Sequence, residues 1–323
     1  MALFCTDTFL AAHGDALADV APGLEVVTLR AGEHVAPADV ERITIAFFSH
    51  DAFPERAAPF IRVALDAPNL RWFHSMAAGV DNPVFGRFVE RGVRLTTSSG
   101  ASAPPIAATC ITYLLALSRD LPRLGRAQAA HEWAPARFTE LRGRRVVVAG
   151  YGPIGQEVVR LATAFGMEPV VLRRAAQGDE PCPAHSLDEI VDVVADAAAL
   201  VVALPLTERT RGLVSREVLA AMDPDAFVVN VGRGELIDQQ ALTEALSLGR
   251  LGGAGLDVFV EEPLPADDPL WDLPNVIITP HMAGSTSATG RRVVEIFFDN
   301  LGRFRRGEPL RNEVERPQQT ART

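Results

Sequence analysis

From residue 145 onward, short β-branched apolar runs alternate with stretches whose apolar positions recur at helical spacing. The runs predict strands over 145–149, 169–172, 199–204, 226–231, 253–258 and 276–279. Between the first two, Ile154, Val158, Leu161, Ala162 and Phe165 share one helical face, so that helix has an apolar side to lay on a sheet. Strands and helices in strict alternation are βαβ units, and βαβ units pack as a parallel sheet with helices on both faces. The longest unbroken apolar stretch, residues 197–206, is half of the roughly 20 needed to span a bilayer and reads as a buried strand.

The N-terminal part repeats the alternation on a smaller scale, with strand-like segments at 25–29, 43–48 and 70–75. Pro104 and Pro105 suit the first turn of a long helix through Ile106, Cys110, Tyr113, Leu114 and Leu117, which would leave one domain and enter the next. A last helix, roughly 287–306, then has the length to cross back. The expected organisation is a discontinuous smaller domain (1–99 and 286–323) around a larger one (100–285), with two hinges framing a cleft. The polar end, 315–323, is expected to fray.

Gly150-Tyr151-Gly152-Pro153-Ile154-Gly155 follows a predicted strand and opens a predicted helix, the context in which GxGxxG signals a dinucleotide site. Gly150 permits the tight turn, Gly152 lets the backbone approach a pyrophosphate, and Gly155 allows the helix to pack close to the strand. The free amides at the helix start attract the anion, and Pro153 loses nothing by lacking one. The expected fold class is therefore α/β: a Rossmann doubly wound parallel sheet plus a second, smaller flavodoxin-like α/β domain. At the end of the next strand, where an NAD site places an acid for the ribose 2′-hydroxyl, stand Arg173 and Arg174. A guanidinium cannot accept those bonds but can grip a 2′-phosphate with parallel donors, which favours NADP(H) over NAD(H). Glu168 or Asp179 can reach the ribose in the alternative arrangement.

Composition narrows the chemistry. All 31 basic residues of the 323 are arginine, which excludes a Walker-type phosphate loop, a Schiff-base enzyme and a Tyr/Lys reductase. The formal charge of −10 argues against nucleic acid as a partner. Three cysteines without CxxC spacing, Cys5, Cys110 and Cys182, suggest reduced thiols in a cytoplasmic protein and no thiolate metal site. Residues 1–20 lack a basic leader and carry Asp7 within their first apolar patch, unlike a secretory signal; no membrane association is expected.

Arg233, Glu262 and His281 each follow one of three successive predicted strands. Ligands of an open parallel sheet bind beyond the carboxyl ends of its strands, so these residues share a rim with the glycine turn. Taken singly, they are ordinary surface or loop residues. Together they suit hydride transfer to a 2-oxo acid. Arg233 offers a fork of donors to the carboxylate and polarises the ketone. His281, an imidazole of unperturbed pKa about 6.5, gives the ketone oxygen its proton and takes it back in reverse. Glu262 orients the ring and favours its charged form.

The chain resembles the D-isomer-specific 2-hydroxyacid dehydrogenase family over nearly its whole length. The resemblance rests on Asn230-Val231-Gly232-Arg233-Gly234, Leu256-Asp257-Val258-Phe259 followed by Glu262-Pro263-Leu264, Thr279-Pro280-His281, and Ala78-Gly79-Val80-Asp81. It implies that the amides of Ala78 and Gly79 hold the substrate carboxylate beside Arg233 and His281, that Asp257 contacts the nicotinamide amide, and that Leu204 and Pro205 line the adenine. Val231, Gly232, His281 and Gly284 complete the expected cofactor contacts. The resemblance further implies a homodimer joined through the larger domains, a cleft that closes on substrate, and, from Arg173, the NADP-dependent reductases of glyoxylate or hydroxypyruvate. Pocket shape is expected to depend on the loops 49–53, 74–77 and 271–273. The alternative reading is a dinucleotide-sensing, co-repressor-like interaction protein of the same fold.

Overall fold

The computed structural model describes residues 1–80, 82–178 and 180–314, so Asp81, Asp179 and the segment 315–323 lie outside the described residues. The chain divides into two compact units, Met1–Ala101 with Thr286–Thr323, and Ser102–Ser285.

The first unit is built on five parallel strands: β1 (Ala2–Thr6), β2 (Glu25–Leu29), β3 (Ile43–Phe48), β4 (Trp72–Ser75) and β5 (Arg94–Thr97). Their order, β2-β1-β3-β4-β5, is that of flavodoxin-like sheets. Central strands of such a sheet are covered on both faces, which is why Leu3, Phe4, Ile45, Phe47, Trp72 and Phe73 are all fully buried. The helix Ser287–Arg306 belongs to this unit. It lays Val293, Phe297 and Leu301 against Leu3, Ile45, Phe47 and Trp72, with Phe297 stacked 4.1 Å from Phe47. Burying a phenylalanine of this kind stabilises the unit by about 1.5–3 kcal/mol. Thr286 caps the helix by accepting from the Thr289 amide, and Gly307 ends it in the left-handed conformation.

The second unit carries seven parallel strands: β6 (Arg145–Ala149), β7 (Glu168–Arg173), β8 (Ala184–Ser186), β9 (Ala199–Val202), β10 (Phe227–Asn230), β11 (Gly253–Leu256) and β12 (Val276–Ile278). The order β12-β11-β10-β9-β6-β7-β8 reverses direction between β6 and β9, the switch point at which doubly wound sheets bind dinucleotides. The helix Ala103–Ser118, opened by Pro104 and Pro105, packs with Pro153–Ala164 on one face. The other face is covered by Ile190–Val194, Arg216–Ala221 and Gln239–Ser247. The α/β class and both sheets agree with the sequence reading.

Three strands have no counterpart in that reading. β1 is a short, wholly buried run that shows no alternation, so its period is unreadable from sequence. The strands β5 and β8 are edge strands of four and three residues, Arg-Leu-Thr-Thr and Ala-His-Ser. The polar inward residues of β5 are satisfied only by tertiary partners. Thr96 Oγ1 accepts from Trp72 Nε1 at 2.8 Å and meets His74 Nδ1 at 2.6 Å. His74 is thereby removed from the loop 74–77 as a pocket residue: it is buried, its other ring nitrogen lies 3.1 Å from Ser98 Oγ, and desolvation pushes its pKa down to about 3. Several predicted strands in the second unit also end one or two residues early, at Val202, Asn230, Leu256 and Ile278, which frees the residues after them for the rim.

Candidate active site

The rim of the second sheet begins at the glycine turn. Gly150 has a φ of +108° and approaches the β9 exit so closely that a Cβ there would stand 2.6 Å from the Ala203 carbonyl oxygen. A Cβ at Gly155 would lie 1.9 Å from the Gly150 carbonyl oxygen, so only glycine lets this helix start against the strand. Gly152, the N-cap of Pro153–Ala164, is different: nothing stands within 4 Å of where its Cβ would be. An open backbone surface at a helix start, with the tight positions on either side of it, fits the pyrophosphate of a dinucleotide. Gly152 and Pro153 are exposed, whereas Ile154 is partly packed into the core beneath the sheet.

Leu204 lies between this turn and the next. A Cβ at Gly150 would come within 3.2 Å of the Leu204 amide nitrogen, and one at Gly232 within 2.8 Å of the Leu204 carbonyl oxygen. Pro205 follows, its carbonyl accepting from Thr210 Oγ1 at 2.8 Å. Val231 is buried and continues the ladder by donating to Val202. The Arg233 turn is fixed from below by Asn230, which is 1% exposed. Its Oδ1 accepts from the Gly232 amide at 3.1 Å and its Nδ2 donates to the Arg233 carbonyl at 2.9 Å. Arg233 is half-buried and donates from Nη1 to the Gly232 carbonyl at 2.7 Å. The turn also abuts the loop after β11, since a Cβ at Gly234 would stand 1.9 Å from the Phe259 carbonyl carbon.

That loop supplies Glu262. Its Oε1 accepts from the Phe259 amide at 3.0 Å, and its Oε2 lies 2.7 Å from His281 Nδ1. His281 and Glu262 remain 50% and 36% exposed, and the carboxylate engages the imidazole through Nδ1. His281 sits at φ +50°, a left-handed conformation that costs a non-glycine residue about 1–2 kcal/mol. Its own amide holds it there, donating toward the Asp257 and Thr279 carbonyls at 2.8 and 3.0 Å. Asp257, 3% exposed, accepts from the Met282 and Ala283 amides at 2.9 and 3.0 Å and from the Thr279 hydroxyl. Thr279 in turn meets the Tyr113 hydroxyl, whose pKa burial pushes up to about 12, so it stays protonated. Asp257 therefore fixes the segment that carries His281. Replacing Glu262 by glutamine removes the charge that orients the ring. It is expected to lower kcat about 10–100-fold with little change in KM. Steady-state kinetics check this, and an unchanged kcat would contradict it.

Of the other expected residues, Arg173 ends β7 beside the glycine turn, its guanidinium carbon 5.6 Å from the Tyr151 ring centroid. It is paired to Glu180 at 2.6 Å, while Arg174 is exposed. Gly284 faces the Ser102 and Ile106 side chains. Ala78 and Gly79 lie in the loop after β4 of the first unit. Asp179, the alternative ribose partner, lies outside the described residues. Sequence reasoning assigned no role to Asn230, Thr279, Tyr113 or Glu180. Their part depends on tertiary hydrogen bonds, and only the place of Asn230 at a strand end hinted at it. Among the described residues no group of three or more His, Cys, Asp or Glu side chains is placed to hold a metal ion, and no helix is long and apolar enough to cross a membrane.

Comparison with known proteins gives a consistent picture. Residues 111–283 match the sequence model described as D-isomer specific 2-hydroxyacid dehydrogenase, NAD binding domain. A D-3-phosphoglycerate dehydrogenase of Methanocaldococcus jannaschii is 36% identical over 258 residues, 78% of this chain. The chain spans about half of that relative's length, 48%. A glyoxylate/hydroxypyruvate reductase B of Pectobacterium carotovorum is 35% identical over 77% of this chain and 80% of its own. A D-isomer specific 2-hydroxyacid dehydrogenase of Xanthobacter autotrophicus, solved with NADPH and MES, superposes with a TM-score of 0.81 at 31% identity, covering 97% of this chain and 98% of that one.

Proposed function

Because the chain belongs to the D-isomer specific 2-hydroxyacid dehydrogenase family, we propose that it reduces a small 2-oxo acid, glyoxylate or hydroxypyruvate first among them, to the D-2-hydroxy acid, with NADPH preferred over NADH. The observation that carries this reading is the hydrogen bond between His281 Nδ1 and Glu262 Oε2, set at the strand ends beside the Arg233 turn. It leaves Nε2 as the ring nitrogen that serves the substrate. The bound nicotinamide supplies the hydride. Arg233 binds the substrate carboxylate and polarises the ketone, drawing charge onto its oxygen as the carbonyl carbon is reduced. His281 delivers the proton from Nε2 to that oxygen, and Glu262 holds the ring in position for the transfer through Nδ1. The amides of Ala78 and Gly79 are assigned to the same carboxylate. Asp257, Val231, Gly232, Leu204, Pro205 and Gly284 are assigned to the cofactor's surroundings, with Gly150, Gly152, Pro153, Ile154 and Gly155 at its pyrophosphate.

The preference for NADPH is supported by Arg173 and Arg174 at the end of β7, where an acid would serve NADH, and by the NADPH in the Xanthobacter structure. The enzyme is further proposed to act as a cytoplasmic homodimer, a reading supported by the family resemblance of its sequence. A panel of 2-oxo acids under both cofactors tests the proposal. The expected result is the highest kcat/KM with glyoxylate or hydroxypyruvate and NADPH. A clear NADH preference would overturn the cofactor assignment. Tight cofactor binding without turnover of any 2-oxo acid would favour the sensor.

A further inference from the structure

The end of β7 holds a second charged group, Glu180, whose carboxylate is gathered by three donors. Its Oε1 accepts from Arg173 Nη1 at 2.6 Å and from the Gln177 amide at 3.0 Å, and its Oε2 accepts from the Gly178 amide at 2.9 Å. The side chain is 2% exposed. These bonds, the Gln177 amide foremost, hold the carboxyl down to about 2, so it is an anion at every working pH. Guanidinium and two turn amides are also a cradle for a phosphate monoester, since both kinds of donor favour a concentrated negative charge. Arg173 lies against Tyr151 of the glycine turn, on the side where the adenosine ribose of a dinucleotide is expected.

We propose that Glu180 is a specificity-determining residue: an internal anion that a cofactor's 2′-phosphate must displace from Arg173, and that thereby limits how far the enzyme favours NADPH over NADH. This rests on the reading that Arg173 receives the 2′-phosphate. The physical logic is a competition between two anions for one cation. Pairing with Glu180 gives Arg173 Nη1 an anionic partner when the ribose carries a plain hydroxyl, so NADH binding leaves that donor matched. A 2′-phosphate gains the guanidinium only by giving up the existing pair, which reduces its net advantage. Neutralising Glu180 while keeping its shape removes this competing charge and leaves an amide oxygen for one of the two turn amides.

Isothermal titration of the full chain with adenosine 2′,5′-bisphosphate and with adenosine 5′-monophosphate isolates the contribution of the 2′-phosphate without any turnover. In Glu180→Gln the bisphosphate is expected to bind roughly three- to tenfold more tightly, with the monophosphate unchanged. Unchanged or weakened bisphosphate binding would overturn the proposal. Equal loss for both ligands would make Glu180 a fastener of the turn, and loss confined to the monophosphate would make it the ribose acceptor; either overturns it. Arg173→Ala separates the underlying assumption. If the bisphosphate keeps its advantage over the monophosphate in that variant, Arg173 does not read the 2′-phosphate and the competition with Glu180 falls with it, while the NADPH preference stands on another group. If the advantage disappears while Glu180→Gln has no effect, only the role of Glu180 is wrong.

Discussion

Replacing His281 by alanine is expected to lower kcat by about 10²–10⁴-fold, the range of a lost general acid, with Tm close to that of the parent enzyme. The side chain is half exposed and makes no core contact, so little packing is lost. Its partner Glu262 keeps the Phe259 amide and the solvent, so no buried charge is stranded. The backbone amide that anchors the left-handed turn on Asp257 and Thr279 is retained in the variant. Alanine tolerates that conformation no worse than histidine by more than a fraction of the about 1–2 kcal/mol at stake. The effect should therefore appear in kcat and leave the melting curve almost unmoved. Stopped-flow or steady-state rates with the best 2-oxo acid, beside calorimetry, make the comparison. A kcat near the parent value would remove His281 as the proton donor.

The placement of Arg233, Glu262 and His281 beyond three strand ends was legible because it needs only two facts, both visible along the chain. Each closes a β-rich run, and the ends of parallel strands share a rim. What fixes them was not legible, because it depends on which strands are neighbours. Asn230 reads as an ordinary strand-end polar residue until β10 places it under its own turn, where it ties Gly232 to Arg233. Asp257 reads from the resemblance as a cofactor contact, yet its carboxylate also accepts from Thr279, Met282 and Ala283 and so holds the His281 segment. Arg173 and Arg174 read alike in sequence. The fold separates them by pairing the first with Glu180 and exposing the second. In the first sheet, β3 and β4 announced themselves by aromatic and β-branched content. β1 and β5 did not, one too uniformly apolar for a period and the other too polar for a buried strand.

Gly234 shows how much geometry such neighbour contacts impose, and its replacement by alanine is expected to damage both stability and catalysis. A methyl group there would meet Phe259 carbon at 1.9 Å, Phe259 oxygen at 2.2 Å and Val260 nitrogen at 2.3 Å, all backbone atoms with no rotamer to yield. Either the Arg233 turn or the segment leading to Glu262 must shift. The Arg233 turn is pinned by Asn230, and the other segment by the Gln239 side chain bonded to the Val260 amide. Overpacking of this kind typically costs about 1–3 kcal/mol. A displacement near 1 Å between guanidinium and imidazole costs about 10²-fold in rate, because both must meet one substrate at once. The expected outcome is a lowered Tm together with a kcat/KM reduced about 100-fold. Gly86→Ala is the control, since that helical glycine has nothing within 4 Å of a new Cβ and should leave both quantities unchanged. A Gly234→Ala enzyme as stable and active as its parent would mean that the Arg233 turn and the Glu262 loop are not held in contact when the enzyme works.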